Sequence, residues 1–302
     1  MFVLVNGLPL FGKNLVKDLN EFDERNRYIF LNTYYSKIDK FLFFILLPFS
    51  GLVISFNGVS DFSGALNWAM KWKKKILMQW QGSDVMLAKE RFYNGTILMD
   101  YINSSTHVTD FDYLKNELEE IGVKSKILSF KHLTTNKLNI NYDKISILSY
   151  VGKNNEGLYG IDLIIEAAKA LVDIEFNIIG TNAINYDNLP ENLFVHGWKE
   201  QSEVIDLMKI NPIFLRMTKH DGNALSVYEA LSLGCEVIWT YPSEFTNRAN
   251  NSSELINQIL ELKNKIEERK MSPNFQKSAQ VLKSFDKKVV ISNYVKFINT
   301  FL

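Results

Sequence analysis

Cysteine is nearly absent from this sequence. Cys235 is the only one in 302 residues, so no internal disulfide can form and no cysteine-rich metal centre can be built. A single thiol also suits a reducing compartment. Histidine is sparse too. His107, His132, His196 and His220 show no H-x-x-x-H spacing, which argues against a structural or catalytic zinc site. Neither sign of charge is in excess. Lys+Arg and Asp+Glu number 34 each, so the basic surplus expected of a nucleic-acid partner is missing. The opening Met1-Phe2-Val3-Leu4-Val5 has no basic leader and runs into Asn6-Gly7, unlike a signal peptide. Long apolar runs are lacking as well. The strongest candidate, Phe41 to Phe56, has 16 residues and contains Pro48 and Gly51. A spanning helix needs about 20. The run reads as a buried helix end, a turn and a buried strand.

What is present suits two α/β domains. The length fits two units of roughly 150 residues, and 46% hydrophobic residues are enough for two cores. Short continuous apolar runs alternate with longer helical stretches, the pattern of parallel sheets covered on both faces. In the first half, strands are expected at Phe2–Val5, Tyr28–Leu31, Leu52–Phe56, Ile76–Trp80, Ile97–Met99, Thr106–Thr109 and Lys126–Leu128. Helices are expected at Leu10–Asn20, Ile38–Leu47, Gly64–Trp72 and Tyr113–Ile121. The second half repeats the plan. Its expected strands are Ile145–Tyr150, Phe176–Ile179, Leu193–Val195, Ile213–Arg216 and Glu236–Thr240, with helices at Ile161–Val172, Ser202–Met208 and Ala224–Leu233. The tail reads as helices from Leu255, Pro273 and Lys287. Two βαβ arrays in succession imply two Rossmann-like domains. The polar stretch Lys131–Lys144 places the boundary, giving domains 1–138 and 139–285 and a final helix in 286–302. That helix carries Val289, Val290, Tyr294, Phe297, Ile298 and Phe301 at helical spacing.

The most informative segment runs from Arg216 to Gly234. A strand leads through a turn containing Asp221 and Gly222 into a helix that starts near Asn223, Ala224, Leu225 and Ser226. Backbone N–H groups at such a helix start are unpaired and favour an anion, and open parallel sheets bind ligands at this end of their strands. Glu229 follows Asp221 by eight positions and faces the same crevice from further down the helix. Acids at both places can accept hydrogen bonds from sugar hydroxyls. The plain alternative is a common Asp-Gly turn and a solvated helical Glu. Arg216 ends an apolar strand and is either a phosphate contact or a salt-bridge partner.

This segment resembles the E-x7-E signature of retaining glycosyltransferases of GT-B fold, family 4 in particular, with Thr218, Asp221, Gly222, Glu229, Ala230, Leu231 and Gly234 in the matching places. Asp221 replaces the first Glu and is one methylene shorter. Ser149-Tyr150-Val151-Gly152-Lys153 and Tyr159-Gly160-Ile161-Asp162-Leu163-Ile164 resemble the family's V-G-R and K-G-x-D-x-L-I segments. Lys153 stands where the family has an Arg on the donor diphosphate, and Tyr159 stands where it has a Lys. Asn177 to Thr181 and Leu193 to Trp198 resemble its I-V-G strand and the segment near the nucleotide base. In the first half, Gly7 takes the place of a Gly-rich loop near the donor phosphates. Gln81-Gly82-Ser83-Asp84 resembles H-G-x-D, with Gln81 for the His. Asp84 is either an acceptor-orienting acid or a helix cap. Asp110 or Asp112 reads as a cap.

The resemblance implies a GT-B fold, two Rossmann-like domains facing a cleft, a final helix in 286–302 that crosses back to the first domain, and sugar transfer with retention and without metal from a nucleoside diphosphate sugar of UDP or GDP type. It implies no resident cofactor, a glycan or glycolipid acceptor, and a cytoplasmic enzyme of polysaccharide or glycolipid assembly. Candidate catalytic residues are Asp221, Gln81 and Asp84. Candidate donor-binding residues are Gly7, Lys153, Arg216, Gly222, Asn223, Ala224, Leu225, Ser226 and Glu229. The alternatives are a nucleotide-sugar epimerase of the same fold and an inactive nucleotide-sugar-binding subunit. Trp68, Lys71, Trp72, Lys73, Lys74 and Lys75 interleave aromatic and basic residues. They read either as peripheral contact with the inner face of a membrane or as packed Trp with a solvated Lys run.

Overall fold

The computed structural model describes residues 1–56, 62–134, 140, 142–268, 273 and 275–302. In chain order the elements up to residue 127 are β1 (Phe2–Asn6), α1 (Pro9–Phe22), β2 (Arg27–Leu31), α2 (Lys37–Leu46), a 3-10 turn (Leu47–Phe49), β3 (Ser50–Ser55), α3 (Gly64–Lys71), β4 (Lys75–Trp80), α4 (Ser83–Tyr93), α5 (Met99–Asn103), β5 (Thr106–Thr109), α6 (Asp112–Glu120) and β6 (Ser125–Ile127). Then come β7 (Ser146–Tyr150), α7 (Ile161–Ala170), β8 (Glu175–Ile179), β9 (Leu193–Val195), α8 (Gln201–Ile210), β10 (Ile213–Arg216), α9 (Leu225–Leu233), β11 (Glu236–Trp239), β12 (Asn247–Arg248), α10 (Ser252–Glu267), α11 (Phe275–Ser284) and α12 (Lys287–Asn299). The chain divides into two compact units, Met1–His132 with Asp286–Leu302, and Leu133–Phe285. The boundary expected at 138/139 falls outside the described residues.

In the first unit the described strands form a parallel sheet in the order β2-β1-β3-β4-β5-β6. Alternate strand residues point to opposite faces, and each face has its own core. On one, Leu4, Val53, Met78 and Trp80 pack with Phe43, Leu66, Val85, Leu114 and Leu118 from α2, α3, α4 and α6. On the other, Val3, Val5, Leu52, Ile54 and Leu77 pack with Leu15 and Leu19 of α1 and with Val290, Ile291, Tyr294 and Ile298 of α12. The phase of α12 differs from the expected stripe. Val289 is exposed and Ile291 takes the inward place, because the buried line follows 290, 291, 294 and 298.

Two other expectations change. Ile97–Met99 is not a strand, since Met99 opens the short helix α5. Three apolar residues carry too little periodicity to separate a strand from a helix start. Of the buried helix end, turn and buried strand expected over Phe41 to Phe56, the turn and the strand form and Leu47 is buried, but α2 itself buries only Phe43 and leaves Phe41, Leu42, Phe44 and Ile45 exposed. Among the described residues, no helix is long and apolar enough to cross a membrane.

The second unit is a parallel sheet in the order β12-β11-β10-β7-β8-β9. Its first strand, β7, lies between β8 and β10, so the order of connection reverses between β7 and β10. In the first unit the same reversal falls between β1 and β3. Such switch points open a crevice at the carboxyl ends of the strands. Helix α7 faces the sheet with Ile161, Ile164, Ile165 and Ala168, spaced i, i+3, i+4 and i+7. Helix α9 is buried from Val227 to Leu233 and stops at Gly234, whose φ of 97° gives a left-handed C-cap.

Candidate functional site

The candidate site begins at the β7/β10 switch point. The loop after β7 and the loop after β10 leave the carboxyl ends of neighbouring strands and are joined there. Lys219 N–H donates to the Leu158 carbonyl at 2.8 Å. Gly160 lies against the Met217 carbonyl, where an added Cβ would come within 2.1 Å, and its φ of +65° also favours glycine. Gly160 then starts α7 as its N-cap.

Arg216, the last residue of β10, turns back onto Asp221. Its Nε donates to Asp221 Oδ2 at 2.7 Å and its Nη2 to Oδ1 at 2.9 Å, a bidentate pair in which each residue is only 8% exposed. Asp221 also accepts from Thr218 Oγ1 at 2.9 Å and from Gly222 N–H at 2.9 Å. Four donors therefore fill the roughly four acceptor sites of a carboxylate. Two tyrosines box the guanidinium, with the Tyr159 ring centre 4.9 Å and the Tyr150 ring centre 5.7 Å from Arg216 Cζ. The rings meet edge to face at 5.4 Å. Tyr159 lies over Gly152 and Tyr150 over Gly180, where a Cβ would approach either ring to 2.6 Å. Burial pushes the Tyr159 hydroxyl above its usual pKa, with Arg216 pulling the other way. The sequence treats Tyr159 as a lost cation. The structure shows it packed on the cation of Arg216, and Arg216 and Asp221, expected as separate ligands, satisfy each other.

Beyond this pair the chain passes Gly222 and the buried Asn223 to Ala224, the N-cap of α9. No side chain caps α9; the Val227 N–H turns back to the Ala224 carbonyl at 3.0 Å, and the N–H groups of Leu225 and Ser226 point out of the helix start. Lys153 is exposed in the loop after β7. Glu229 lies in the second turn of α9 and is buried, with one hydrogen bond from Gln201 Nε2 at 2.9 Å. Burial holds its carboxyl above the usual range, and the Gln201 bond only partly offsets this. Gln201, at the start of α8, went unnoticed in the sequence, because nothing in its polar stretch singles it out. Tyr150, whose aromatic ring only the fold brings to Arg216, was missed in the same way.

In the first unit, Gly7 has a φ of 87° and Leu8 one of 37°, and together they turn the chain from β1 into α1. Leu8 is the N-cap of α1 and offers no side-chain cap. Asn6, at the end of β1, accepts from Thr33 Oγ1 at 2.6 Å, while its buried Nδ2 has no hydrogen-bond partner among the described residues. Gln81 donates from Nε2 to the Trp80 carbonyl at 2.9 Å, and its buried Oε1 has no partner among the described residues. Asp84 turns its carboxylate back on its own loop, accepting from the N–H groups of Gln81, Gly82 and Val85 at 2.8–3.0 Å. Asp84 is not the N-cap of α4, a place held by Gly82 with no side-chain cap, but sits inside the first turn and ties the N–H groups before it. Burial pushes this carboxyl up to about 6 against those donors. Asp110 and Asp112 do not cap by side chain. Asp110 pairs with Lys131 at 2.8 Å, and Asp112 is the first residue of α6, which has no side-chain cap. His107 is a neutral structural group that accepts from Trp80 Nε1 at 3.2 Å, and burial lowers its pKa.

No family model matches the sequence, and no curated protein matches it. Solved structures do match in fold. Sucrose-phosphate synthase from Thermosynechococcus elongatus superposes with a TM-score of 0.70 over 99% of this chain and 98% of that one, at 11% identity. HepE of Anabaena, solved in complex with UDP and glucose, gives 0.67 over 99% and 100%, at 11% identity. A Listeria monocytogenes protein described as a UDP-N-acetylglucosamine 2-epimerase gives 0.58 over 99% and 96%, at 12% identity. The likeness is one of fold, the two Rossmann-like domains of the GT-B class.

Proposed function

We propose that this chain moves a glycosyl unit from a nucleoside diphosphate sugar, of UDP or GDP type, to the hydroxyl of a glycan or glycolipid acceptor, and that its second unit holds the donor. The observation that carries this reading is the pairing, at one switch point, of an uncapped helix start with a buried carboxylate in the next turn of the same helix. The N–H groups from Asn223 to Ser226, with Lys153, take the diphosphate and stabilise the charge that builds on it as its bond to the anomeric carbon breaks. Glu229 accepts from the ribose hydroxyls. Arg216 and Asp221, joined as an ion pair, position the loop between these groups. Retention at the anomeric carbon, independence of metal and the absence of a resident cofactor belong to the same reading. In the first unit, Gln81 and Asp84 are proposed to line the acceptor side, and Gly7 to serve the donor.

Calorimetry with UDP and GDP on the wild type and Glu229→Gln tests the donor site. The variant should bind the preferred nucleotide more weakly by about 1.5–3 kcal/mol, the worth of a hydrogen bond to a charged group. Its unfolding midpoint at pH 7 should be unchanged or higher, because a buried charge has been neutralised. Equal affinity in the two proteins would remove Glu229 from the site. A second reading, epimerisation of the sugar, has the Listeria fold match in its favour. Product analysis separates the two: a 2-epimer formed without acceptor supports epimerisation, and a glycosylated acceptor supports transfer.

A further inference from the structure

Helix α2 is apolar on two sides. Phe43 points to the sheet and is buried. A second stripe, Ile38, Phe41, Leu42 and Ile45, has the spacing i, i+3, i+4 and i+7 and faces water, with Ile38 72% and Phe41 64% exposed. Phe49, just beyond the helix, is 68% exposed. Helix α3 packs beside α2 and extends the patch. Phe44 meets Trp68 edge to face at 4.8 Å, and Trp72 is exposed. Contiguous apolar surface of this kind marks a contact surface.

The surrounding charge identifies the partner. Residues 37–49 and 68–75 contain six lysines and one aspartate. The aspartate, Asp39, is engaged by the Asn32 N–H at 2.7 Å. Lys74 is held by the Pro48 and Ser50 carbonyls at 2.8 Å each, and Lys75 by the Phe301 carbonyl. Lys37, Lys40, Lys71 and Lys73 remain exposed around the apolar stripe, and Lys71 Nζ lies 4.9 Å from the Trp68 ring centre.

We propose that the α2–α3 face seats this protein on an anionic lipid surface, with the Ile38–Phe41–Leu42–Ile45 stripe at the acyl boundary and the four exposed lysines among the headgroup phosphates. Trp68 and Trp72 lie at headgroup depth, where indole rings concentrate. An amphipathic helix with aromatic residues and flanking lysines binds in this way, lying in the plane of the interface. A second copy of the chain is the poorer occupant, because a twofold contact would bring like-charged lysine sets together. The proposal does not depend on the donor reading.

Flotation of the full chain with phosphatidylcholine vesicles, with and without phosphatidylglycerol, tests it. The protein should rise with the anionic vesicles only and be released by high salt. Lys37→Glu with Lys40→Glu should lower the partition roughly fivefold per unit of charge removed. Phe41→Ser with Ile45→Ser should lower it roughly tenfold or more. Thermal melting of both variants checks that these exposed changes leave the fold intact. Equal recovery on both vesicle types, or no recovery, overturns the proposal. So does a dimer in light scattering that Phe41→Ser converts to monomer, which would assign the face to a second copy.

Discussion

Arg216 shows how a single residue's role depends on its partner. It ends an apolar strand, and its bidentate bond to Asp221 makes it half of a buried ion pair under two aromatic rings. Removing one half of such a pair leaves the other charge buried and uncompensated, which costs about 3–5 kcal/mol. Arg216→Ala should therefore lower the urea unfolding free energy by an amount in that range at pH 7. Arg216→Ala with Asp221→Ala should lose less than the two single variants summed, because the pair is coupled. Single variants of unchanged stability would show that the pair does not hold the loop. Glu229 contrasts with this pair. Among the described residues it is buried with one modest partner, so its charge is a standing cost to the fold, which suits the donor-binding role proposed for it.

At the scale of an element, α4 is set by the turn before it. Gly82 is its N-cap with a φ of 140°, and Asp84 ties the preceding N–H groups to the first turn. The Asp84 carboxyl is raised from its ordinary 3.8 to about 6 in the folded chain. A raised acid binds its proton more tightly folded than unfolded. Its contribution to stability is thus fully present below about pH 4 and is lost as the pH rises through about 6. Asp84→Asn cannot titrate, so its stability relative to the wild type should rise as the pH goes from 4 to 7, as read from urea midpoints. A constant difference across that range would show that Asp84 is not raised.

At the scale of the whole molecule, the chain returns to its first unit after building the second. Helix α12 covers one face of the first sheet, with Tyr294 Oη donating to Gln79 Oε1 at 2.8 Å and Lys287 paired to Asp18 at 2.9 Å. Four of its apolar side chains are buried there. At about 1.5–3 kcal/mol for each fully buried side chain, their loss rivals the whole 5–15 kcal/mol stability of a typical domain. A chain ending at Asp286 should therefore lose amide protection in β1, β3 and β4 while β7, β8 and β10 keep theirs. Undiminished protection in β1 and β3 would mean that the first unit stands without α12.

The alternation of apolar runs with helical stretches was enough to specify two parallel α/β arrays. Strands buried on both faces must be apolar throughout, and the helices covering them must be amphipathic, so both leave a local pattern. The place of the candidate site was legible for the same reason: Arg216, Gly222 and Glu229 mark a strand end, a turn and a helix in succession. Partners were not legible. Arg216 meets Asp221 through the path of a loop, and Gln201 reaches Glu229 from another helix, 28 positions away in the chain. Periodicity also could not choose between two apolar stripes on α2, because it records spacing and not direction. Only packing against the sheet decides that Phe43 turns inward and Phe41 outward. The apolar stripe of α12 was visible, but the Gln79 that its Tyr294 meets lies 215 residues earlier in the chain, and contacts at that separation are set by topology alone.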